Sequence, residues 1–210
     1  FSFREAEVSL DEQFRQFYPE VAQSLPRFWW LHVDGQPRLN DMGLAAPARL
    51  VVSQRVLDVL QAQKRPVETV RLYEGDRAPE DLSPFSGLLV MGGPMSVNDS
   101  LPWIPMALRL IRQAVATDVP VLGHCLGGQL LSKALGGRVR GNRAKEFGWL
   151  PVAAVDSPQA EKWLDDLPPR FEVFHWHGET FSIPPGATHL LKSRYCRNQA
   201  FVSGKSLGLQ

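Results

Sequence analysis

A single cysteine lies between a strand-like run and a helix-like run, the setting in which a thiol most readily becomes a nucleophile. Val119-Pro120-Val121-Leu122 is apolar, and Leu130, Leu131, Ala134 and Leu135 then recur on one helical face. Between them stands Gly123-His124-Cys125-Leu126-Gly127-Gly128-Gln129. A strand entering a helix through Gly-x-Cys-x-Gly has the form of a nucleophile elbow. Small neighbours let the backbone turn sharply enough to present one side chain at the strand tip. The helix start adds free N–H groups and a positive dipole end, which favour thiolate over thiol. Acyl-transfer chemistry at such a cysteine also needs a base for the proton and donors for the oxyanion.

The first donor is expected from the backbone N–H of Leu126, just past the nucleophile. A second is available from Gly92-Gly93-Pro94, which also ends an apolar strand and therefore points to the same sheet edge. Glycine lets a ligand approach the main chain closely, although a plain tight turn has the same composition. The base is harder to find. His124 adjoins the nucleophile, where backbone geometry turns it away, and it reads as structural. His32 and His189 lie in polar contexts typical of a surface. His175 and His177 sit in Phe174-His175-Trp176-His177-Gly178-Glu179-Thr180-Phe181. Residues two apart share a strand face, so His177 and Glu179 could act as base and orienter. A core or substrate-wall role fits that spacing equally well. The two histidines lack nearby cysteine or carboxylate partners that would make a convincing zinc set, so no metal is assigned. Gly204-Lys205-Ser206 resembles the end of a P-loop, but the first glycine of that motif would fall on Gln199 and no helical pattern follows.

The elements around the cysteine form a repeated strand–helix alternation. Leu50-Val51-Val52 is a short apolar run, Val56 to Leu60 has helical spacing, and Val67 to Leu72 reads as a second strand. Gly87 to Met91 is wholly apolar, as in a strand buried on both faces of a parallel sheet. Ile104, Ala107, Leu108, Ile111, Ala114 and Val115 fit a 3.6 period, with Asp99 or Ser100 available as a cap. Gly136-Gly137 closes the helix after Cys125. Beyond it, Arg138 to Val155 and Phe171 to Ile183 read as strands, with Gln159 to Leu164 a short helix. Repeated β-α-β units predict an α/β domain, a doubly wound and mostly parallel sheet with helices on both faces and small antiparallel additions. Ligands of such sheets sit at the carboxyl ends of strands, where Cys125 falls. Residues 1–46 break this rhythm: Pro19 interrupts a helical pattern, and Phe28-Trp29-Trp30-Leu31 is a dense apolar cluster. They read as an N-terminal extension of unknown role, with the α/β domain spanning 47–210.

Composition narrows the function classes. The chain has 210 residues with a formal net charge of +1, so neither a basic excess for nucleic acid nor a charge block for an anionic membrane is present. No apolar run is long enough to span a bilayer. The N-terminal residues lack a signal-peptide layout, and the two cysteines, Cys125 and Cys196, fit the reducing cytoplasm better than a disulfide that would consume the elbow thiol. Cys196 reads as an ordinary half-buried thiol.

Several ordered motifs together resemble the class I, triad-type glutamine amidotransferases, and in particular the stand-alone proteins related to the glutaminase part of GMP synthase. They are Met91-Gly92-Gly93-Pro94-Met95-Ser96, the elbow through Gln129, Glu146-Phe147-Gly148-Trp149 and His175 to Phe181. Pro184-Pro185-Gly186-Ala187 and Asn198-Gln199-Ala200-Phe201 complete the set. The resemblance covers residues 48–210 and implies a flavodoxin-like fold. It implies that Cys125 attacks the side-chain amide of glutamine, that Gly93 and Leu126 stabilise the oxyanion, and that Gly92 shapes the loop. Gln129, His177 and Gly178 are then expected to hold the substrate, with no cofactor. Ammonia would leave, water would hydrolyse the glutamyl thioester, and a separate synthetase is the implied ammonia acceptor. The family's His-x-Glu pair follows a strand ending in Gly-x-Gln; here Gly208-Leu209-Gln210 ends the sequence, so base and orienter are expected beyond it and the chain reads as cut there. The loop at Val52-Ser53-Gln54 is shorter than the family's. Two alternatives remain, a γ-glutamyl amide or peptide hydrolase and a non-catalytic interaction protein or inactive fragment lacking the His-x-Glu pair.

Overall fold

A computed structural model describes residues 66–165 and 167–210, with Leu60 and Lys64 upstream. The chain divides into two compact units, and almost all described residues belong to the second, Thr69–Gln210. The strand at Leu50–Val52, the helical pattern beginning at Val56, the short Val52–Gln54 loop, His32 and the 1–46 extension lie outside the described residues.

The second unit opens with a 3-10 turn at Leu72–Glu74 and continues with β1 (Leu88–Val90), α1 (Trp103–Ala116), β2 (Val121–His124) and α2 (Leu126–Ala134). Then follow β3 (Val139–Ala154), α3 (Pro158–Trp163), β4 (Arg170–Phe181), β5 (Thr188–Ser193), β6 (Ala200–Ser203) and β7 (Ser206–Leu209). The seven strands form one mixed sheet in the order β1-β2-β7-β6-β5-β3-β4. β1, β2 and β7 run parallel, and the remaining described pairings are antiparallel. The parallel part carries the elbow; the antiparallel part lies beside it. No helix among the described residues is long and apolar enough to cross a membrane.

Packing follows the strand period. On β6, Phe201 joins a core with Ile111, Leu130, Leu131 and Phe181, while its neighbours Ala200 and Val202 join a second core with Val152, Ala160 and Leu190. Alternate residues of a strand face opposite ways, so the sheet is covered on both sides, by α1 and α2 on one and α3 on the other. Phe181 and Phe201 meet edge to face at 5.1 Å. Each fully buried side chain of this size stabilises the fold by about 1.5–3 kcal/mol relative to exposure.

Two local expectations are corrected. Val67 to Leu72 is not a strand. Those residues have no ladder partner among the described residues, and Asp76 Oδ2 accepts the Arg71 N–H at 2.8 Å while Gly75, at φ 95°, closes a turn. The local turn prevails where an isolated extended segment leaves its backbone groups unpaired. Neither Asp99 nor Ser100 caps α1; Pro102 holds the cap position without a side-chain bond, and Asp99 instead accepts the Ser96 N–H at 2.9 Å. By contrast α2 ends as its glycines predict. Gly136 takes φ 89°, and the N–H groups of Gly136 and Gly137 return to Lys133 and Ser132, the double bond of a Schellman motif. Gly204-Lys205 forms the tight turn between β6 and β7 rather than a phosphate loop.

Candidate active site

Cys125 adopts φ 53° and ψ −112°, a conformation that costs a non-glycine residue on the order of 1–3 kcal/mol. Its surroundings enforce it. The Cys125 N–H donates to Leu209 O at the end of β7 (2.9 Å), and its carbonyl accepts the Gln129 N–H of α2 (3.1 Å). Glycine is required at the helix start because that turn is wedged between strand ends. A Cβ at Gly127 would overlap the Val90 carbonyl oxygen, and one at Gly128 the Leu209 carbonyl oxygen. The elbow expected from the sequence is thus present as a strained, close-packed turn.

The acidity of the thiol runs against the helix-start expectation. Burial pushes the Cys125 thiol above its ordinary value, and the Leu126 N–H bonded to the sulfur only partly offsets this. In this low-dielectric position one helix N-terminus does not outweigh desolvation. The sulfur stands 3.9 Å from the Trp176 carbonyl oxygen of β4. None of the described histidines is hydrogen-bonded to it. His124, half-buried, lies instead beside the Gly92 loop, and burial depresses its basicity.

The Gly92-Gly93 loop reaches the same edge. A Cβ built on Gly92 would lie 3.2 Å from Cys125 Cβ, and one on Gly93 would lie 3.0 Å from the Leu126 side chain. The end of β1 is in register with the elbow strand, Val90 opposite Gly123. The segment after the glycines is pinned from three elements. Ser96 Oγ donates to Glu179 Oε1 on β4 (2.9 Å), and Asn98 Nδ2 donates to Val139 O on β3 (3.0 Å). From α2, Lys133 Nζ donates to Val97 O (2.7 Å) and Asn98 Oδ1 (3.0 Å). The helix that carries the nucleophile therefore also holds the candidate oxyanion loop.

His177 and Glu179 do not form a base–orienter pair. The Glu179 carboxylate is engaged by Ser96, and it is the Glu179 backbone carbonyl that meets His177 Nδ1, at 3.0 Å. The His177 ring turns into the protein, where Nε2 lies 3.1 Å from Glu146 Oε2 with both side chains buried. That contact is close but off the ring's N–H axis, an electrostatic contact rather than an aligned hydrogen bond. Glu146 sits directly opposite His177 in the β3–β4 ladder. Its carboxylate also accepts from Ser193 Oγ (2.5 Å) and Gln199 Nε2 (2.7 Å). Burial by itself would raise the Glu146 carboxyl; the His177 and Ser193 contacts, with the charges of His177 and His175, overcome it and hold the group below its ordinary value. Strand pairing therefore brings a carboxylate from a distant segment, that of Glu146, to the two histidines. Glu146, His175 and His177 offer ligand atoms within 4.8 Å of one another, the described residues that could most nearly hold a metal.

Gln129 is buried one turn into α2, and Gly178 follows His177 with the Lys145 side chain above it. The opposite face of β4 is aromatic: Trp176 packs edge-on against Phe147 at 4.7 Å, and Phe174 against Trp149 at 5.7 Å. Cys196 is fully buried rather than half-buried, with its sulfur 3.1 Å from Thr180 Oγ1, and both cysteines are free. Sequence reasoning assigned no role to Glu146, Ser96 or Lys133. A buried-looking acid within Glu-Phe-Gly-Trp was the one available signal.

Comparison with known proteins identifies a family for the chain. Residues 50–210 match the family described as glutamine amidotransferase class-I. A glutamine amidotransferase-like protein of Salmonella typhimurium, YfeJ, is 31% identical over 139 residues, covering 64% of this chain and 58% of the relative. A glutamine-hydrolysing GMP synthase subunit from Sulfolobus acidocaldarius is 33% identical over 129 residues, covering 61% of this chain and 65% of the relative. The crystal structure of a glutamine amidotransferase from Methylobacillus flagellatus superposes with a TM-score of 0.70 at 49% identity, covering 73% of this chain and 61% of that one. The chain thus spans less than two thirds of each of these relatives. With the elbow, the glycine loop and the β4 wall meeting at one sheet edge, the chain belongs to the class I glutamine amidotransferase family.

Proposed function

We propose that the protein containing this chain hydrolyses the side-chain amide of glutamine and delivers ammonia to an acceptor on another domain or protein. The carrying observation is Cys125, held in a strained turn against the Gly92-Gly93 loop with the β4 backbone 3.9 Å from its sulfur. In this reading the thiolate attacks the amide carbon, and the N–H groups of Gly93 and Leu126 receive the developing oxyanion. Collapse expels ammonia and leaves a glutamyl thioester, which water then cleaves to glutamate and free thiol. Gly92 keeps the loop close, while Gln129 and the backbone around His177 and Gly178 hold the amino acid. Because burial raises the thiol, a base must take its proton before attack. The GMP synthase relative is named as glutamine-hydrolysing, which supports glutamine as substrate and a synthetase as partner. Two free cysteines suit a reducing cytoplasm.

The test is glutamate and ammonia release from glutamine by the full-length protein. Cys125→Ala is expected to abolish both, a loss of at least about 10³-fold in kcat, whereas Cys196→Ala retains nearly all activity. Residual turnover in Cys125→Ala would refute the assigned nucleophile. Faster turnover of γ-glutamyl conjugates than of glutamine would replace this reading with the γ-glutamyl hydrolase.

A further inference from the structure

We propose that Glu146 is the positioning residue of the substrate wall: through His177 it fixes the β4 backbone that faces the nucleophile. The proposal rests on the glutamine reading above and extends it to a residue that touches neither substrate nor thiol.

The geometry is that of an anchor. Glu146 is 1% exposed, and its two oxygens meet a hydroxyl, an amide and an imidazole from three different places in the chain. Ser193 lies on β5 and Gln199 just before β6, so the carboxylate joins the neighbouring antiparallel strands to β4. His177 is held from its other side as well, since Nδ1 meets the Glu179 carbonyl at 3.0 Å. A ring caught between a carboxylate and a carbonyl cannot rotate or shift without losing one partner. The adjacent peptide then inherits that constraint: the Trp176 carbonyl stands 3.9 Å from Cys125 Sγ. An edge strand without such an anchor would hold its binding groups loosely and weaken the grip on the bound amino acid. β4 is such an edge strand among the described residues, and its site-facing segment is tied down from the interior by Glu146.

Two cysteine reagents separate this role from mere folding. One is a chloromethyl ketone bearing the α-amino and α-carboxylate groups of glutamine; the sulfur displaces its chloride and forms a thioether. The other is iodoacetamide, which reaches the same sulfur without needing the wall. In the full-length protein, Glu146→Gln keeps the side chain's size but removes its charge. It is expected to slow labelling of Cys125 by the amino acid reagent about tenfold while iodoacetamide labelling stays within about twofold. Glutamine turnover in the same variant is expected to show a raised KM with kcat within about threefold. Ser193→Ala, which removes one anchor and leaves the charge, should show the same selectivity at about threefold, and covers the case in which Glu146→Gln folds poorly. Equal slowing of both reagents, or no change with either, overturns the positioning role. A wild-type protein that shows no preference for the amino acid reagent overturns instead the glutamine reading on which it rests.

Discussion

At the residue scale, the chemistry and the stability of Cys125 pull in opposite directions. Its backbone sits where a side chain is disfavoured, held by the Leu209 carbonyl, by α2 and by glycines whose replacement would collide with strand ends. Cys125→Gly should therefore stabilise the fold by about 1 kcal/mol while eliminating chemistry, a gain visible as a higher Tm by thermal denaturation. An unchanged or lower Tm would mean that the turn stores no strain at this residue. The elbow was readable from sequence because only small residues around a nucleophile fit so sharp a turn. The state of its thiol was not. The helix dipole is a local, sequence-visible effect, whereas desolvation depends on how completely distant segments enclose the sulfur.

At the element scale, α2 does two things, since it presents the nucleophile at its first turn and holds the Val97 carbonyl and the Asn98 side chain through Lys133 near its last. Lys133→Met keeps the stem's packing and removes the ammonium. We expect kcat for glutamine to fall about tenfold with little change in Tm, as for a displaced oxyanion donor. A fall in Tm without loss of kcat would assign Lys133 to stability alone. Helix periods and the Gly136-Gly137 stop were legible because each is a short-range signal. The Glu146–His177 pairing was not. It depends on the β3–β4 register across an intervening helix, and a one-residue slip would have turned Glu146 to the other face. The cap of α1 misled for a related reason: Asp99 had a nearer N–H to satisfy, that of Ser96 in the loop before the helix.

For the molecule as a whole, buried titratable groups set a pH window. His124, His175 and His189 are all depressed by burial, so each contributes stability above its unfolded value of 6.5, lost as pH falls through its lower folded value. Glu146, also depressed, adds a further loss below its unfolded value of 4.5. Cys125 and Cys196 are raised by burial; their contribution is present below 9.0 and is lost as pH rises through their higher folded values. Denaturant midpoints are therefore expected to plateau between about pH 6.5 and 9 and to fall on both sides. A maximum near pH 5 would contradict this. The position of β7 bears on how the fold is reached. It is the last strand in the described chain, yet it lies inside the sheet between β2 and β6. Its hairpin with β6 is local and fast to form, but its pairing with β2 closes a long loop and is correspondingly slow. Until it inserts, Leu209 is absent from Cys125, so the thiol spends the refolding period as an ordinary exposed cysteine, open to oxidation and mispairing. Pulse alkylation of the refolding protein should find Cys125 protected only in the final kinetic phase, which makes the reactive centre also the latest part of the molecule to be made safe.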